Sequence, residues 1–297
     1  MATVIKTTQL TKKYDNKVAL DSLDLSVEKG EIVGYLGPNG AGKTTTIRLL
    51  LGLLQPTSGS ATIFGKEVSK YAAELHKQIA YVPGETSYWP ALTGAETLHL
   101  LANLHGSADM AYQKELIQKF EFDPSLKVRT YSKGNRQKIA LIAALSTHAE
   151  LLIFDEPTSG LDPVVSKVFR DETLAAKHTG QTVLLSSHML EEVEELCDRI
   201  AVMRAGKLVE IGTLEELRHL SAVTVEATFP TTPPDVRHIK SVSNVEVHDH
   251  FLRCNVNGSI DELLATISRA KPISLLSRKP TLEELFLALY ETKPESK

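Results

Sequence analysis

The sequence predicts an α/β domain organised on a largely parallel sheet, followed by a smaller α+β unit. Three observations carry the prediction. Residues 31–36 form a short β-favouring run that passes through Gly37-Pro38-Asn39-Gly40-Ala41-Gly42-Lys43-Thr44 into a strong helix former over 43–54. Two apolar runs of strand length, 151–154 and 182–185, are unbroken rather than alternating, as strands buried on both faces require. After about Leu220 the pattern becomes alternation, with Val223, Val225, Ala227 and Phe229 apolar and polar residues between them, which predicts a half-exposed strand.

Along the chain, residues 3–8 and 18–27 read as strands around a turn at Lys12-Lys13-Tyr14-Asp15-Asn16. The helix over 43–54 is expected to stop at Gln55-Pro56, and a strand follows at 60–64 with Gly65 as its turn. Thr93-Gly94-Ala95-Glu96 matches a capping box and opens a leucine-rich helix to about Leu104, with another helix over 110–120. This block, roughly 85–147, reads as a helical insertion in the α/β core. Residues 199–203 and 207–211 flank Arg204-Ala205-Gly206 as a hairpin, and Thr213-Leu214-Glu215-Glu216 caps a short helix. In the last unit Leu252, Cys254 and Val256 alternate, and Ser259-Ile260-Asp261-Glu262 and Thr281-Leu282-Glu283-Glu284 are two further capping boxes.

The glycine-rich stretch fits G-x-x-x-x-G-K-[ST] with a strand leading in and a helix leading out. Glycines let successive N–H groups curl toward one anion, and the helix N-terminus adds its dipole. Lys43 is expected to reach the β- and γ-phosphates of a nucleotide, and the Thr44 hydroxyl to sit on Mg²⁺. Asp155-Glu156 closes one buried run and His188 follows the other, at the strand ends where open α/β sheets bind ligands. An aspartate there can hold the magnesium ion, and Glu156, pointing differently, can polarise an attacking water. His188 can stabilise charge developing on a transferring phosphoryl group. Ser132-Lys133-Gly134 opens a long helix as a second anion-binding end, with basic residues in its first turns.

Bulk properties restrict the function classes. The 297 residues are 24% charged and 42% hydrophobic, and the net charge is −4 with no long basic run, so no nucleic acid is expected as partner. Cys197 and Cys254 form neither metal-ligand spacing nor a disulfide framework and read as buried, reduced thiols. No apolar run approaches the roughly 18 residues that cross a bilayer, and no signal peptide is evident at the N-terminus. Any membrane role is therefore expected through another polypeptide.

Taken in order, these motifs resemble those of ATP-binding subunits of ABC transporters. The resemblance implies a P-loop NTPase cassette with a mixed, mainly parallel sheet core, N-terminal antiparallel strands and a helical subdomain. Residues 1–220 would form that cassette, with a small α+β extension over 221–297 similar to one in an exporter subgroup. It implies ATP and Mg²⁺ as ligands. Tyr14 stands where the family stacks an aromatic on adenine, and Gly37, Asn39, Gly40, Ala41, Gly42, Lys43, Thr44 and Thr45 form the phosphate loop. Thr44 and Asp155 would hold the metal, with Glu156 as catalytic base and His188 as switch histidine. Ser132 and Gly134 would complete the site of an opposing subunit, and Ser159-Gly160-Leu161-Asp162 resembles the loop through which subunits sense each other.

Two departures stand out. The usual Leu-Ser-Gly-Gly-Gln signature reads Tyr131-Ser132-Lys133-Gly134-Asn135, where the Lys133 ammonium either adds a phosphate contact or, the reading favoured here, is solvated. Gly84 replaces the usual glutamine, so Glu85 or water substitutes, or the contact is missing. The resemblance implies a homodimer or a pairing with a related ATP-binding subunit, seated on the cytoplasmic face of the membrane against a separate multispanning permease, with export favoured. The surface over 84–92, with Tyr88, Trp89 and Pro90, is either the docking site or part of the helical block's packing. The apolar face of a helix over 281–290 either pairs subunits or folds on its own sheet. The competing reading is an ABC ATPase uncoupled from transport, acting on DNA, ribosomes or cofactor assembly.

Overall fold

A computed structural model describes residues 2–15, 17–219 and 223–278, together with Glu284. The chain divides into two units, residues 1–211 and 212–297. The helix expected over 281–290 lies outside the described residues, apart from Glu284.

The first unit starts with β1 (Thr3–Tyr14), β2 (Lys17–Leu23) and β3 (Ser26–Glu28), then β4 (Ile32–Leu36) and helix α1 (Lys43–Leu50). Strands β5 (Ser58–Ile63) and β6 (Lys66–Glu67), helix α2 (Val68–Leu75) and strand β7 (Ile79–Val82) follow. Helices α3 (Gly94–His105), α4 (Met110–Lys119) and α5 (Lys133–Leu145) come next. The unit closes with β8 (Leu151–Asp155), α6 (Pro163–His178), β9 (Thr182–Ser187), α7 (Leu190–Leu196), β10 (Arg199–Arg204) and β11 (Lys207–Gly212).

An antiparallel sheet runs β2-β1-β5-β6, with β3 also on β1. A six-stranded sheet runs β11-β10-β4-β9-β8-β7 and is parallel from β10 to β7. Its outermost strand joins through the Ala205-Gly206 turn, both residues at positive φ, the requirement of a two-residue hairpin. The unbroken apolar runs are explained by burial on both faces. Leu151 and Ile153 enter one core with Val33 and Tyr35, whereas Leu152 and Phe154 enter another with α3, α4 and α5. The helical block therefore shares its core with one face of the sheet. Phe154 and Phe169 meet edge-on there, ring centroids 5.2 Å apart.

Several local expectations shift. Helix α1 ends at Leu50 rather than Leu54 because Gly52 takes φ +68, a left-handed stop open to glycine. Strand β1 continues through Lys12 and Lys13 to Tyr14, which pairs with Lys17, so these three residues of the expected turn are strand, and Asn16 lies outside the described residues. The Thr93 capping box forms in full. One glycine is needed for packing: a Cβ on Gly34, mid-strand in β4, would lie 2.8 Å from both Cys197 Sγ and Val193 Cγ1. Its absence lets α7 sit directly on the central strand.

The second unit contains α8 (Leu214–His219), β12 (Val223–Thr228), β13 (Val242–His248), β14 (Phe251–Val256), α9 (Asp261–Arg269) and β15 (Ser274–Arg278). Thr213 and Glu216 exchange the two hydrogen bonds of a capping box ahead of α8. The sheet order is β13-β14-β12-β15. Val225, Ala227, Leu252, Cys254 and Val256 are buried with Leu263 and Ile267 of α9, as the alternation requires. Ser259 does not form its expected box; its hydroxyl instead accepts the Asp261 N–H, two residues on. Cys254 is buried and Cys197 partly so, both free thiols; burial pushes Cys254 up to about 11.

Candidate functional site: a phosphate loop facing two strand ends

Strand β4 delivers the chain into the loop at Gly37. A Cβ there would come within 2.7 Å of the Met203 carbonyl, and one on Gly42 within 2.8 Å of the Ala19 carbonyl. Gly40 and Gly42 adopt φ +81 and +107, conformations that L side chains resist. Pro38, Asn39 and Gly40 are exposed and Ala41 is buried. Gly42 is the N-cap of α1 and supplies no side-chain cap, which leaves the N–H groups of Thr44 and Thr45 to bind an anion. Lys43 is buried, and its ammonium donates to the Gly37 carbonyl at 2.6 Å and the Pro38 carbonyl at 3.3 Å. Below the loop, the Thr46 hydroxyl donates to the Gly42 carbonyl and meets the Tyr35 hydroxyl, each at 3.1 Å. Sequence reasoning missed this clamp; its signal was a phenol inside an apolar strand, which must find a partner.

Two strand ends meet the loop, those of β8 and β9. Asp155 closes β8, is buried, and accepts from Ser186 Oγ at 2.5 Å. Glu156 takes φ +50, uncommon for a residue with a side chain and typical of constrained functional positions. Its N–H donates to the Ser186 carbonyl at 3.0 Å. The Glu156 carboxylate lies 3.5 Å from Lys43 Nζ through one oxygen and 3.4 Å from His188 Nδ1 through the other. A cation, a carboxylate and an imidazole thus stand in line.

A cleft of about 300 Å³ opens here, lined by Thr44, Asp155 and Glu156 and also by Arg48, Gly84 and Ser159. Tyr81 borders it, its hydroxyl pushed up to about 12 by burial and then by the Asp155 charge. Glu85 lines the same cleft, and a Cβ on Gly84 would sit 3.0 Å from the Asp155 carbonyl. Lys133 borders it too and is not simply solvated: its ammonium donates to Ser159 Oγ at 2.7 Å.

The other predicted residues lie outside that lining. Tyr14 ends β1 half-exposed, with Lys12 Nζ 5.1 Å from its ring centre. Ser132 caps α5, accepting the Asn135 N–H at 3.2 Å. Gly134 is required by close approach, since a Cβ would fall 2.4 Å from the Gly160 carbonyl. Asp162 caps α6, accepting the Val165 N–H at 2.9 Å, and that bond holds its carboxyl below the usual range. Tyr88 is half-buried and packs on the core of the helical block, whereas Trp89 is exposed.

Known proteins resemble this chain in sequence and in fold. The sequence profile described as ABC transporter matches residues 20–159. A linearmycin resistance ATP-binding protein of Bacillus subtilis (strain 168) is 33% identical over 96% of this chain and 98% of its own. A daunorubicin resistance ATP-binding protein of Streptomyces coeruleorubidus is 35% identical over 94% and 93%. A bacitracin transport ATP-binding protein of Bacillus licheniformis is 36% identical over 84% and 82%. Among solved structures, an ATP-binding subunit of an ABC transporter superposes with a TM-score of 0.68 at 30% identity, over 73% of this chain and 92% of that one. With the phosphate loop, the strand-end carboxylates and the cassette fold in one chain, the protein belongs to the ABC transporter family, as an ATP-binding, ATP-hydrolysing subunit.

Proposed function

We propose that this chain is the motor of an exporter, hydrolysing ATP at a site shared by two cassettes and driving a separate multispanning permease. The observation that carries the proposal is the Glu156 carboxylate held between Lys43 and His188 at the mouth of the phosphate loop. The loop N–H groups and Lys43 bind the triphosphate, and Tyr14 stacks on adenine. Glu156 orients and polarises the attacking water, and His188 stabilises charge on the transferring phosphoryl. Ser132, Gly134 and Asp162 act across the interface with a second copy or a related subunit; exposure of Ser132 and Asp162 in the single chain supports this assignment.

Magnesium fits the donors present. The Thr44 hydroxyl and Asp155 carboxylate border one cleft and are hard oxygen ligands, and magnesium usually takes few protein ligands alongside phosphate and water. Among the described residues no cluster of three or more acidic, histidine or cysteine groups forms a self-sufficient cage. When bound, the ion neutralises charge on the phosphate oxygens.

No helix among the described residues is long and apolar enough to cross a membrane, so the motion must pass to another protein. The surface over 84–92 is proposed to receive the permease, placing the chain at the cytoplasmic face of the membrane. The exposed Trp89 and a neighbouring apolar groove of about 550 Å³, bordered by Pro83, Tyr88 and Leu104, support that placement. Export, rather than import or a role away from the membrane, is supported by the relatives named for linearmycin and daunorubicin resistance.

Glu156→Gln tests the reading. The variant should bind ATP, hydrolyse it poorly and accumulate as a closed dimer on a sizing column. Unimpaired hydrolysis, or a strictly monomeric ATP-bound form even beside its permease, would refute it.

A further inference from the structure

A buried carboxyl beside the site is unused by the mechanism above. Glu192, in the first turn of α7, is 4% exposed. One carboxyl oxygen accepts from Ser187 Oγ at 2.5 Å, and Ser187 Oγ in turn accepts the Met189 N–H at 2.9 Å. The two bonds bracket His188. In an ordinary capping box the third helical residue reaches the cap N–H directly; here a serine hydroxyl is interposed and the histidine rides on the turn so formed. The other carboxyl oxygen, Oε1, is buried without a hydrogen-bond partner among the described residues. The neighbouring Thr158 hydroxyl, two residues past Glu156, donates to Met189 Sδ at 3.9 Å.

We propose that Glu192 is a positioning residue for hydrolysis, fixing the Ser187–Met189 turn so that the His188 ring stays on the Glu156 carboxylate. It rests on the assignment of Glu156 and His188 to the reaction. Burial raises the Glu192 carboxyl above its usual range, against the opposing effects of Ser187, Thr158, His188 and Arg170. Arg170 is meanwhile paired with Glu195. An amide of the same shape can keep the bond to Ser187 Oγ and fill the same buried space, so Glu192→Gln is the conservative replacement.

The test is steady-state ATP hydrolysis by the full chain carrying Glu192→Leu or Glu192→Gln, alone and combined with His188→Ala. Glu192→Leu should lower kcat about tenfold or more while KM for ATP moves less than about threefold, because the phosphate loop is untouched. Glu192→Gln should restore most of the lost turnover. In the His188→Ala background Glu192→Leu should add little further loss, since residues acting as one unit are not additive. The proposal is overturned if Glu192→Leu turns over like the parent, or loses the same factor with and without His188, as a purely structural cap would. If Glu192→Leu does not fold, Ser187→Ala removes the same link with little change of volume and is read by the same criteria. Unchanged turnover in both Glu156→Gln and His188→Ala would instead sink the site assignment itself.

Discussion

Gly134→Ala puts the junction between α5 and the loop before α6 under direct test. The added Cβ would lie 2.4 Å from the Gly160 carbonyl, whereas ordinary contact begins near 3.4 Å. Both sides of the clash are backbone, so no rotamer change relieves it, and the segments must part by about 1 Å. Overpacking of this kind costs about 1–3 kcal/mol, or a melting temperature lower by roughly 2–10 °C. The same displacement moves Ser132 relative to Asp162, and a misplacement of about 1 Å at a reacting site can cost on the order of 100-fold in rate. Gly160→Ala is the internal comparison. Its φ of +84 makes any side chain strained, but its new Cβ meets the flexible Lys133 stem at 3.3 Å and backbone only at an ordinary 3.8 Å, the Gly134 nitrogen. That variant should lose about 1–2 kcal/mol and keep more of its turnover. Thermal melts followed by circular dichroism and ATP hydrolysis read both quantities. A Gly134→Ala protein that melts and turns over like the parent, or a Gly160→Ala protein that is the worse of the two, would refute the close-approach argument.

Tyr14→Ala should weaken nucleotide affinity by about 1–3 kcal/mol if the ring stacks on the base, as titration calorimetry with an unhydrolysed ATP analogue would show; unaltered affinity would remove Tyr14 from the site. Phe169→Ala deletes a fully buried ring packed edge-on against Phe154. It should destabilise the first unit by about 3–5 kcal/mol, read as a lower urea midpoint; a shift of under about 1 kcal/mol would contradict the packing. The raised Glu192 carboxyl gives a pH prediction. Its folded pKa exceeds its unfolded one, so its contribution is complete below the unfolded value and is lost as pH rises through the folded value. Glu192→Gln should therefore flatten the fall in melting temperature on raising pH above the ordinary carboxylate range, and an unchanged slope would show that the group does not titrate there.

Much of the site was legible because its chemistry depends on local spacing. The loop glycines, Lys43 and the strand-end Asp155 and Glu156 are set by a motif and by where apolar runs stop. The Thr93 and Thr213 boxes were legible because both partners of each lie within one helical turn, although the same spacing at Ser259 gave a bond to the Asp261 N–H instead. What escaped the sequence depends on contacts between distant segments. The Tyr35–Thr46 clamp, the Lys133–Ser159 bond and the Gly134–Gly160 approach join residues that no periodicity relates. Helix α1 was read four residues too long because its leucines hid the stop at Gly52. Strands β13 and β15 were missed because they carry little alternation to detect: each is mostly exposed.

The missing side chain at Gly34 has a wider consequence. Strand β4 ends one residue before the phosphate loop, and α7, seated flush on the same strand, begins two residues after His188. The height of the histidine above the cradle is thus gauged by a layer of packed atoms shared with the strand that launches the cradle. A shift in that layer would carry the bases of both loops together, so the two sides of the candidate site are referenced to one packed layer rather than to two.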